Sequence, residues 1–144
     1  MQEDIINLLR LNNKIFRTTQ VYLDKVLKKF ELSSGSYPYL MILRKNEGIS
    51  QNQISKELGH DKAMSARMIT KLINIGYLDK KKDENDSRAN KLYLTEKATA
   101  VIPKVGEEVR QLLGLITQDL NPLEKSVTID SLNKILSNIK KMSL

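Results

Sequence analysis

The sequence of 144 residues contains no cysteine and no tryptophan, and only one histidine, His60. Without cysteine the chain can form no disulfide and has no thiolate nucleophile or cysteine ligand for zinc. A single histidine leaves no two-histidine metal site and no Cys–His catalytic pair. The six glycines never gather into a phosphate-binding loop. We therefore expect a protein that is not an enzyme and that holds no metal and no cofactor.

Long apolar segments are absent as well. The longest apolar run, residues 37–43, has seven residues, whereas a membrane span needs about 18 or more. The first residues, Met-Gln-Glu-Asp, are acidic where an export signal would be basic. We expect a cytoplasmic protein with no membrane partner.

Positive charge is present in excess. The chain has 24 Lys and Arg against 17 Asp and Glu, a formal net charge of +7. Residues 59–95 carry eight of the basic and five of the acidic groups. A basic stripe of this kind fits a polyanion such as nucleic acid. A solvated, lysine-rich surface would give the same balance, so charge alone does not identify the partner.

The middle of the chain has the pattern of two helices joined by a short turn. Ser50 is the predicted N-cap of a helix over residues 51–58, and Asp61 that of a second helix that ends at Gly76. Gly59 and His60 form the turn between them. Two helices joined by a short, glycine-containing turn are typical of a helix-turn-helix.

The hydrophobic period changes directly after Gly76. Residues 77–81 and 91–94 are predicted strands, and the polar loop between them completes a hairpin. Amphipathic helices are predicted over residues 4–30, from about residue 34–36 to 46, from Thr95 with a kink at Pro103, and from Asn121 to the end. The expected fold class is mainly α, a winged helix-turn-helix with a short β-hairpin wing, flanked by N- and C-terminal helices.

One face of the helix after Asp61 has the composition needed to enter DNA. On a helical wheel Ala63, Ala66, Arg67 and Thr70 lie opposite the apolar stripe, with Lys62 at the edge. Small residues beside Lys and Arg let a helix enter a major groove about 12 Å wide without steric clash. An ordinary solvent-exposed face made of good helix formers would look the same.

The hairpin carries the remaining candidate DNA contacts. Lys80, Lys81, Lys82 and Lys91 are placed to neutralise phosphates, which adds affinity without sequence information. Arg88 near the tip suits the narrow minor groove, and Asp86 could orient its guanidinium through a charge-assisted bond. The alternative for Arg88 is a flexible surface side chain.

Three motifs of the middle region are distinctive: Ile49-Ser50-Gln51, the run from Asp61 to Arg67, and, most specifically, Asp86-Ser87-Arg88 followed by Leu92-Tyr93-Leu94-Thr95. With these motifs, residues 32–97 resemble the MarR family of winged-helix repressors. Ala98 departs from the glycine that the family usually shows there. The lack of cysteine argues against the peroxide-sensing branch of the family.

The resemblance implies one MarR-like domain over residues 1–144. Residues 32–97 would form the DNA-binding region, and residues 1–31 and 98–144 the helical dimerisation region. It further implies a homodimer that occupies a pseudopalindromic operator in double-stranded DNA and represses transcription until a small ligand, such as an aromatic acid, releases it. The residues expected at DNA are Ser50, Lys62, Ala63, Ala66, Arg67, Thr70, Lys81, Lys82, Asp86, Arg88 and Lys91.

A ligand would occupy a cleft between the winged region and the helical platform of such a dimer. Arg17 on the first helix and Tyr37 and Met41 on the second are the expected lining residues. A flat apolar surface with one cation would suit an aromatic carboxylate. Tyr37 and Met41 at helical spacing would also suit a plain core.

Two other functions stay open at this point. One is a nucleoid-type protein that binds DNA with little sequence preference and without a ligand. The other is a protein-interaction module that uses the amphipathic terminal helices and has no role at DNA. The ratio of operator affinity to random-DNA affinity at one salt concentration separates the first of these from a specific regulator.

Overall fold

The computed structural model describes residues 2–86 and 89–142. These residues form a mainly helical chain with one antiparallel hairpin, which confirms the predicted fold class. The elements are α1 (Gln2–Leu27), a 3-10 turn (Lys28–Phe30), α2 (Tyr37–Lys45), α3 (Gln51–Leu58), α4 (Lys62–Ile75), β1 (Leu78–Lys82), β2 (Asn90–Leu94), α5 (Glu96–Ile116) and α6 (Pro122–Lys140).

The chain divides into two compact units, Met1–Glu108 and Val109–Leu144. The first contains α1 to α4, the hairpin and the beginning of α5, and the second contains the end of α5 and α6. The division falls after residue 108, whereas the resemblance implied a functional boundary near residue 97.

The core of the first unit takes apolar side chains from every element around the hairpin. Burial of these side chains removes apolar surface from water, which is the main favourable contribution to folding. The fully or almost fully buried members of this core include Leu27, Leu40, Leu43, Ile54, Ile69, Leu72, Leu78, Leu92, Ala98, Ile102 and Val105.

The first helix ends earlier than the apolar pattern predicts. α1 stops at Leu27, a 3-10 turn follows, and Glu31 takes a left-handed conformation with φ of 59°. The N–H of Leu32 donates to the carbonyl of Leu27 at 3.2 Å, which closes the end of the helix. The prediction of a helix to residue 30 was wrong because the left-handed position is usually glycine, and a glutamate there gives no signal in the sequence.

A serine turn delays the start of α2 to Tyr37. The N–H of Ser36 donates to the Ser33 carbonyl at 3.2 Å, and the Ser36 hydroxyl accepts from the Ser33 N–H at 2.8 Å. Pro38 lies in the first turn of α2, as expected, because a proline there removes no intrahelical hydrogen bond.

The hairpin pairs Leu78 with Leu94 and Lys82 with Asn90, so β1 begins one residue later than predicted. The segment before α3 lies along β2. The N–H of Gly48 donates to the Leu92 carbonyl at 2.8 Å, and the N–H of Leu92 donates to the Ile49 carbonyl at 3.1 Å. The hairpin is therefore tied to the start of the helix-turn-helix.

The two C-terminal helices begin at the residues that the capping signals predict. The Thr95 hydroxyl accepts from the N–H of Ala98 at 3.2 Å at the start of α5, which continues through Pro103 to Ile116. At the start of α6, Asn121 and Glu124 form a capping box, with Pro122 in the first turn.

Candidate nucleic-acid interface

The start of α3 is held by a reciprocal cap. The Ser50 hydroxyl accepts from the N–H of Gln53 at 3.1 Å, and the Gln53 amide oxygen accepts from the N–H of Ser50 at 3.2 Å. Ser50 is half-buried and also pairs with Lys91 of β2 in an isolated β-bridge. Ser50 thus anchors α3 to the hairpin, and any DNA contact would come in addition to this structural role.

The ends of α4 follow from local sequence. A carboxylate oxygen of Asp61 accepts from the N–H of Met64 at 2.7 Å, which caps the first turn. Gly76, with φ of 91°, ends the helix in a left-handed conformation that side chains beyond glycine rarely adopt. Both boundaries are those predicted.

The two faces of α4 differ as the helical wheel predicted. Ser65, Ile69 and Leu72 are buried, and Met64, Met68 and Ile75 are half-buried. The opposite face is exposed and carries every predicted DNA-contacting residue of the helix, namely Lys62, Ala63, Ala66, Arg67 and Thr70.

The exposed face extends one turn beyond the predicted set. A shallow groove is lined by Arg67, Thr70, Lys71 and Asn74, among others. Lys71 and Asn74 were absent from the predicted site. Asn74 stands four residues after Thr70 and seven after Arg67, so the same helical period that selected those two could have found it.

The lysines of the hairpin differ in their surroundings. Lys81 Nζ lies 5.1 Å from the centroid of the Tyr93 ring, and Lys91 Nζ lies 3.9 Å from Asp83 Oδ2. Lys80 and Lys82 are exposed, and neither forms an ion pair with any described residue. Lys80 and Lys82 can therefore approach a phosphate without giving up a partner within the chain, whereas Lys81 and Lys91 would exchange one.

The loop of the hairpin is partly described. The N–H of Asp83 donates to the Ala89 carbonyl, and the N–H of Ala89 donates to the Asp86 carbonyl, both at 3.0 Å. Asp86 is exposed. Ser87 and Arg88 lie outside the described residues, and with them the predicted minor-groove contact of Arg88 and its orientation by Asp86.

A polar network connects α2 to the helix-turn-helix. The Tyr39 hydroxyl lies 2.8 Å from His60 Nδ1 and donates to the Ser65 hydroxyl at 3.0 Å. Tyr39 and Ser65 are fully buried, and His60 is half-buried in the turn. Burial raises the pKa of the Tyr39 hydroxyl above its usual value of 10.0, so the hydroxyl stays protonated at neutral pH. The network fixes the turn that precedes α4.

Side chains at the start of α5 donate hydrogen bonds to the carbonyls at the C-terminus of α4. Lys97 Nζ donates to the Ile75 carbonyl at 2.6 Å and lies 4.9 Å from the centroid of the Tyr77 ring. The Thr95 hydroxyl donates to the Gly76 carbonyl at 2.6 Å. A cation at a helix C-terminus is favourable, because unpaired carbonyls give that end partial negative charge.

The three predicted ligand residues lie on α1 and α2. Tyr37 and Met41 are half-buried, one helical turn apart, and pack against the core. Burial raises the pKa of Tyr37. Arg17 is exposed on α1, and its Nε donates to Asn13 Oδ1 at 3.3 Å. The role of these residues in ligand binding stays a prediction.

Within residues 2–86 and 89–142 no group of three or more His, Cys, Asp or Glu side chains is placed to hold a metal ion. In the same residues no helix combines the length and the apolar composition needed to cross a membrane.

Comparisons with known proteins agree with this geometry. The profile of the MarR family matches residues 32–89. The HTH-type transcriptional regulator BilQ of Clostridioides difficile (strain CD3) is 40% identical over 83 residues, which cover 58% of this chain and 56% of that protein. The match therefore spans little more than half of that relative's length.

Two solved structures are similar over almost the whole chain. A MarR protein from Peptoclostridium difficile DA00132 is 31% identical with a TM-score of 0.88, over 92% of this chain and 87% of that one. A MarR family transcriptional regulator from Listeria monocytogenes, solved in complex with a 26mer DNA, is 26% identical with a TM-score of 0.87, over 92% and 88%.

The BilQ relative is named as a transcriptional regulator, and the regulators of the matching family are not enzymes, so the prediction that the chain is not an enzyme is confirmed. The similarity to the Peptoclostridium protein covers 92% of this chain, so it extends well beyond the residues that the family profile matches. The chain belongs to the MarR family of winged helix-turn-helix transcriptional regulators.

Proposed function

We propose that the protein is a homodimeric repressor that binds a pseudopalindromic operator in double-stranded DNA and is released by a small ligand. The observation that carries the proposal is the asymmetry of α4. Its inner face is buried in the core, and its outer face exposes small, polar and basic side chains. A helix of this kind can enter a major groove while the rest of the domain holds it in position.

Individual residues take different parts in this proposal. Arg67 is the base-reading candidate, because an arginine can donate two hydrogen bonds to guanine in the major groove. Lys62 and Lys82 are exposed and are assigned to phosphates. Arg88 is assigned to the minor groove on the basis of its sequence context alone. The Listeria relative, solved with a 26mer DNA, supports DNA as the partner.

Exposed apolar side chains on α1 and α6 support the homodimer. Ile6 and Leu9 on α1 and Leu123 on α6 each expose more than 70% of their surface in the single chain. Exposed apolar surface on such a helix usually marks an interface. Pairing across a two-fold axis would bury it and set two α4 helices about 34–36 Å apart, one turn of DNA.

The ligand is proposed to be a small aromatic acid that contacts Tyr37 and Met41, with Arg17 as the cation for its carboxylate. The half-buried positions of Tyr37 and Met41 support this assignment, because each has part of its surface left for a ligand. Release requires that the ligand binds the DNA-incompetent state more tightly than the competent one. A tenfold decrease in DNA affinity corresponds to about 1.4 kcal/mol of coupling.

A binding-site selection tests the DNA part of the proposal. Footprinting of DNA upstream of the protein's own gene should show a protected pseudopalindrome, bound at least about 10³-fold more tightly than random DNA at the same salt concentration. A ratio near one would favour the nucleoid-type alternative. Transcription from the protected promoter should fall when the protein is added; unchanged transcription would remove the repressor assignment.

A titration of the operator complex tests the ligand part. Salicylate should release DNA, and Arg17→Gln should weaken that response without changing DNA affinity in the absence of salicylate. Hydrogen peroxide at matched doses should do little, because without cysteine only slow methionine oxidation is available. Rapid, thiol-reversible release by peroxide would contradict ligand control.

A further inference from the structure

A shallow groove lies where the end of α3 meets the start of α4. Asn52 and Lys56 line it from α3, His60 from the turn, and Asp61 and Lys62 from the start of α4. We refer to this surface as the His60 groove. Lys62 also belongs to the exposed face of α4, so the His60 groove adjoins the face proposed to read DNA.

We propose that the His60 groove binds a backbone phosphate of DNA, and that protonation of His60 strengthens this contact as the pH falls. The inference rests on the proposed DNA-binding function and adds to it a phosphate site and a pH response. Histidine is the side chain whose charge ordinarily changes between about pH 5 and 8.

The hydrogen bonds of His60 allow it to gain a proton without disturbing the fold. Nδ1 lies 2.8 Å from the Tyr39 hydroxyl, which donates its own proton to Ser65. The Tyr39 oxygen can therefore accept from a protonated Nδ1 while it keeps its bond to Ser65. Nε2, at the other edge of the ring, forms no hydrogen bond with any described residue and can donate to an anion.

The few charged groups around His60 mean that its protonation changes the net charge of the groove substantially. The groups that face it are Tyr39 from α2, Lys56 from α3, and Asp61, Lys62 and Ser65 from α4. The carboxylate of Asp61 opposes the two lysines and is itself committed to the N–H of Met64. With neutral His60 the charged groups of the groove sum to one positive charge, and with protonated His60 to two.

The choice of a backbone phosphate follows from position and charge. The site lies at the edge of the exposed face of α4, and the groove edges of DNA are lined by phosphates when a helix lies in the major groove. Lysine and protonated histidine supply charge-assisted hydrogen bonds to such oxygens, and Asn52 adds a neutral donor. The contact is independent of base sequence, so a duplex of random sequence is a sufficient probe.

The experiment compares wild-type protein with His60→Gln, whose amide is polar but gains no proton in this pH range. Binding to a fluorescein-labelled random duplex is measured at about pH 8 and about pH 6. We expect wild-type affinity to rise about tenfold on acidification, through modest gains at the two His60 grooves of the dimer. The slope of log affinity against log salt should steepen by about two at the lower pH, because each phosphate contact contributes about 0.9. His60→Gln should show neither change.

Two further variants and one further measurement complete the design. Lys56→Gln should weaken binding at both pH values, whereas Lys104→Gln, which removes an exposed lysine from α5, should leave the pH response intact. Calorimetry of the wild-type complex at about pH 6, in two buffers of different ionisation enthalpy, should show proton uptake on binding, so the test does not depend on the folding of a variant.

The outcomes separate the two proposals. Equal pH responses in wild type and His60→Gln, or no response and no proton uptake in wild type, would overturn the His60 groove while DNA binding stands. Failure of the wild-type protein to bind any duplex at either pH would overturn the proposed function, and the phosphate site with it.

Discussion

Arg67 and Lys82 lie on different elements of the proposed interface, so their substitutions should have different signatures. Arg67→Ala should cost about 1–3 kcal/mol on operator DNA and relax specificity at one base pair per half-site, because alanine cannot donate the two hydrogen bonds to guanine. Lys82→Ala should weaken operator and random DNA alike and lower the salt slope by about one for each phosphate that the variant no longer neutralises. Fluorescence anisotropy with both duplexes at several salt concentrations measures each effect.

Lys104→Ala on α5 is the control for removal of one positive charge at an exposed position. It should leave the ratio of operator to random affinity unchanged. If Arg67→Ala binds the operator as tightly as the parent protein, base reading by the exposed face of α4 is wrong.

The buried Tyr39 and Tyr77 and the half-buried Tyr37 should make stability fall in alkaline solution. Burial raises the folded-state pKa of Tyr37, Tyr39 and Tyr77, with the Asp61 carboxylate adding to the effect at Tyr39 and Glu31 at Tyr77. An unfolded tyrosine loses its proton near pH 10. Above that pH the unfolded state binds fewer protons than the folded one, so the free energy of unfolding decreases with rising pH. The contribution of the protonated tyrosines to the free energy of unfolding is complete below about pH 10. It is lost as the pH rises through their raised folded-state pKa.

Tyr39→Phe tests this at one residue. It should lower the free energy of unfolding at neutral pH by about 1–3 kcal/mol, since Ser65 and His60 lose a buried partner. It should also reduce the decrease in the free energy of unfolding that occurs in alkaline solution. Tyr22→Phe, at an exposed position on α1, should change neither quantity. Urea unfolding at about pH 7, 9 and 10.5 makes the comparison; an alkaline loss that is identical in Tyr39→Phe would contradict the argument.

At the scale of elements, α4 is held at both ends by neighbouring elements in addition to its own caps at Asp61 and Gly76. The network at His60 fixes its first turn, and Lys97 and Thr95 hold its last carbonyls. A reading helix has to present its side chains within a narrow tolerance, so supporting contacts of this kind matter for recognition.

Gly76→Ala tests the C-terminal end of α4. Gly76 has φ of 91°, where a side chain is strained, so the substitution should cost about 1–2 kcal/mol of stability. Gly35→Ala is the matched control, because its φ is not in the left-handed region and its new Cβ would lie 3.4 Å from the flexible end of Met68. Thermal unfolding of both variants measures the difference; equal effects would show that φ at Gly76 is not the limiting feature.

At the scale of the whole molecule, the apolar surface of the terminal helices should determine assembly. Leu132 and Leu136 on α6 are each exposed by more than 40% in the single chain. If α6 contributes to a dimer, Leu132→Glu should give monomers or aggregates and weaken operator binding, because a buried carboxylate is costly. Asn133→Glu adds the same charge at the neighbouring exposed position and should be tolerated.

Sedimentation velocity at micromolar concentration distinguishes the results. The parent protein and Asn133→Glu should sediment as dimers. A parent protein that is a stable monomer and still binds the operator fully would contradict the proposed homodimer.

The features that could be predicted from the sequence all depend on local interactions. The boundaries of α3 and α4, the caps at Ser50, Asp61 and Asn121, and the exposed face of α4 were all predictable. Each depends on residues three or four positions apart, or on a glycine that accepts a positive φ, so no knowledge of distant contacts is needed. The family, the fold class and the candidate reading face followed from these signals.

Contacts between residues far apart in sequence could not be predicted and are visible only in the folded structure. The Tyr39–His60–Ser65 network joins positions 21 and 26 residues apart, and Lys97 reaches a carbonyl 22 residues earlier. Such pairs have no fixed spacing, because they depend on how the helices pack. The end of α1 at Leu27 belongs here too. Glutamate does not favour a left-handed conformation, yet Glu31 adopts one. The surrounding fold requires the turn at this position and offsets the strain.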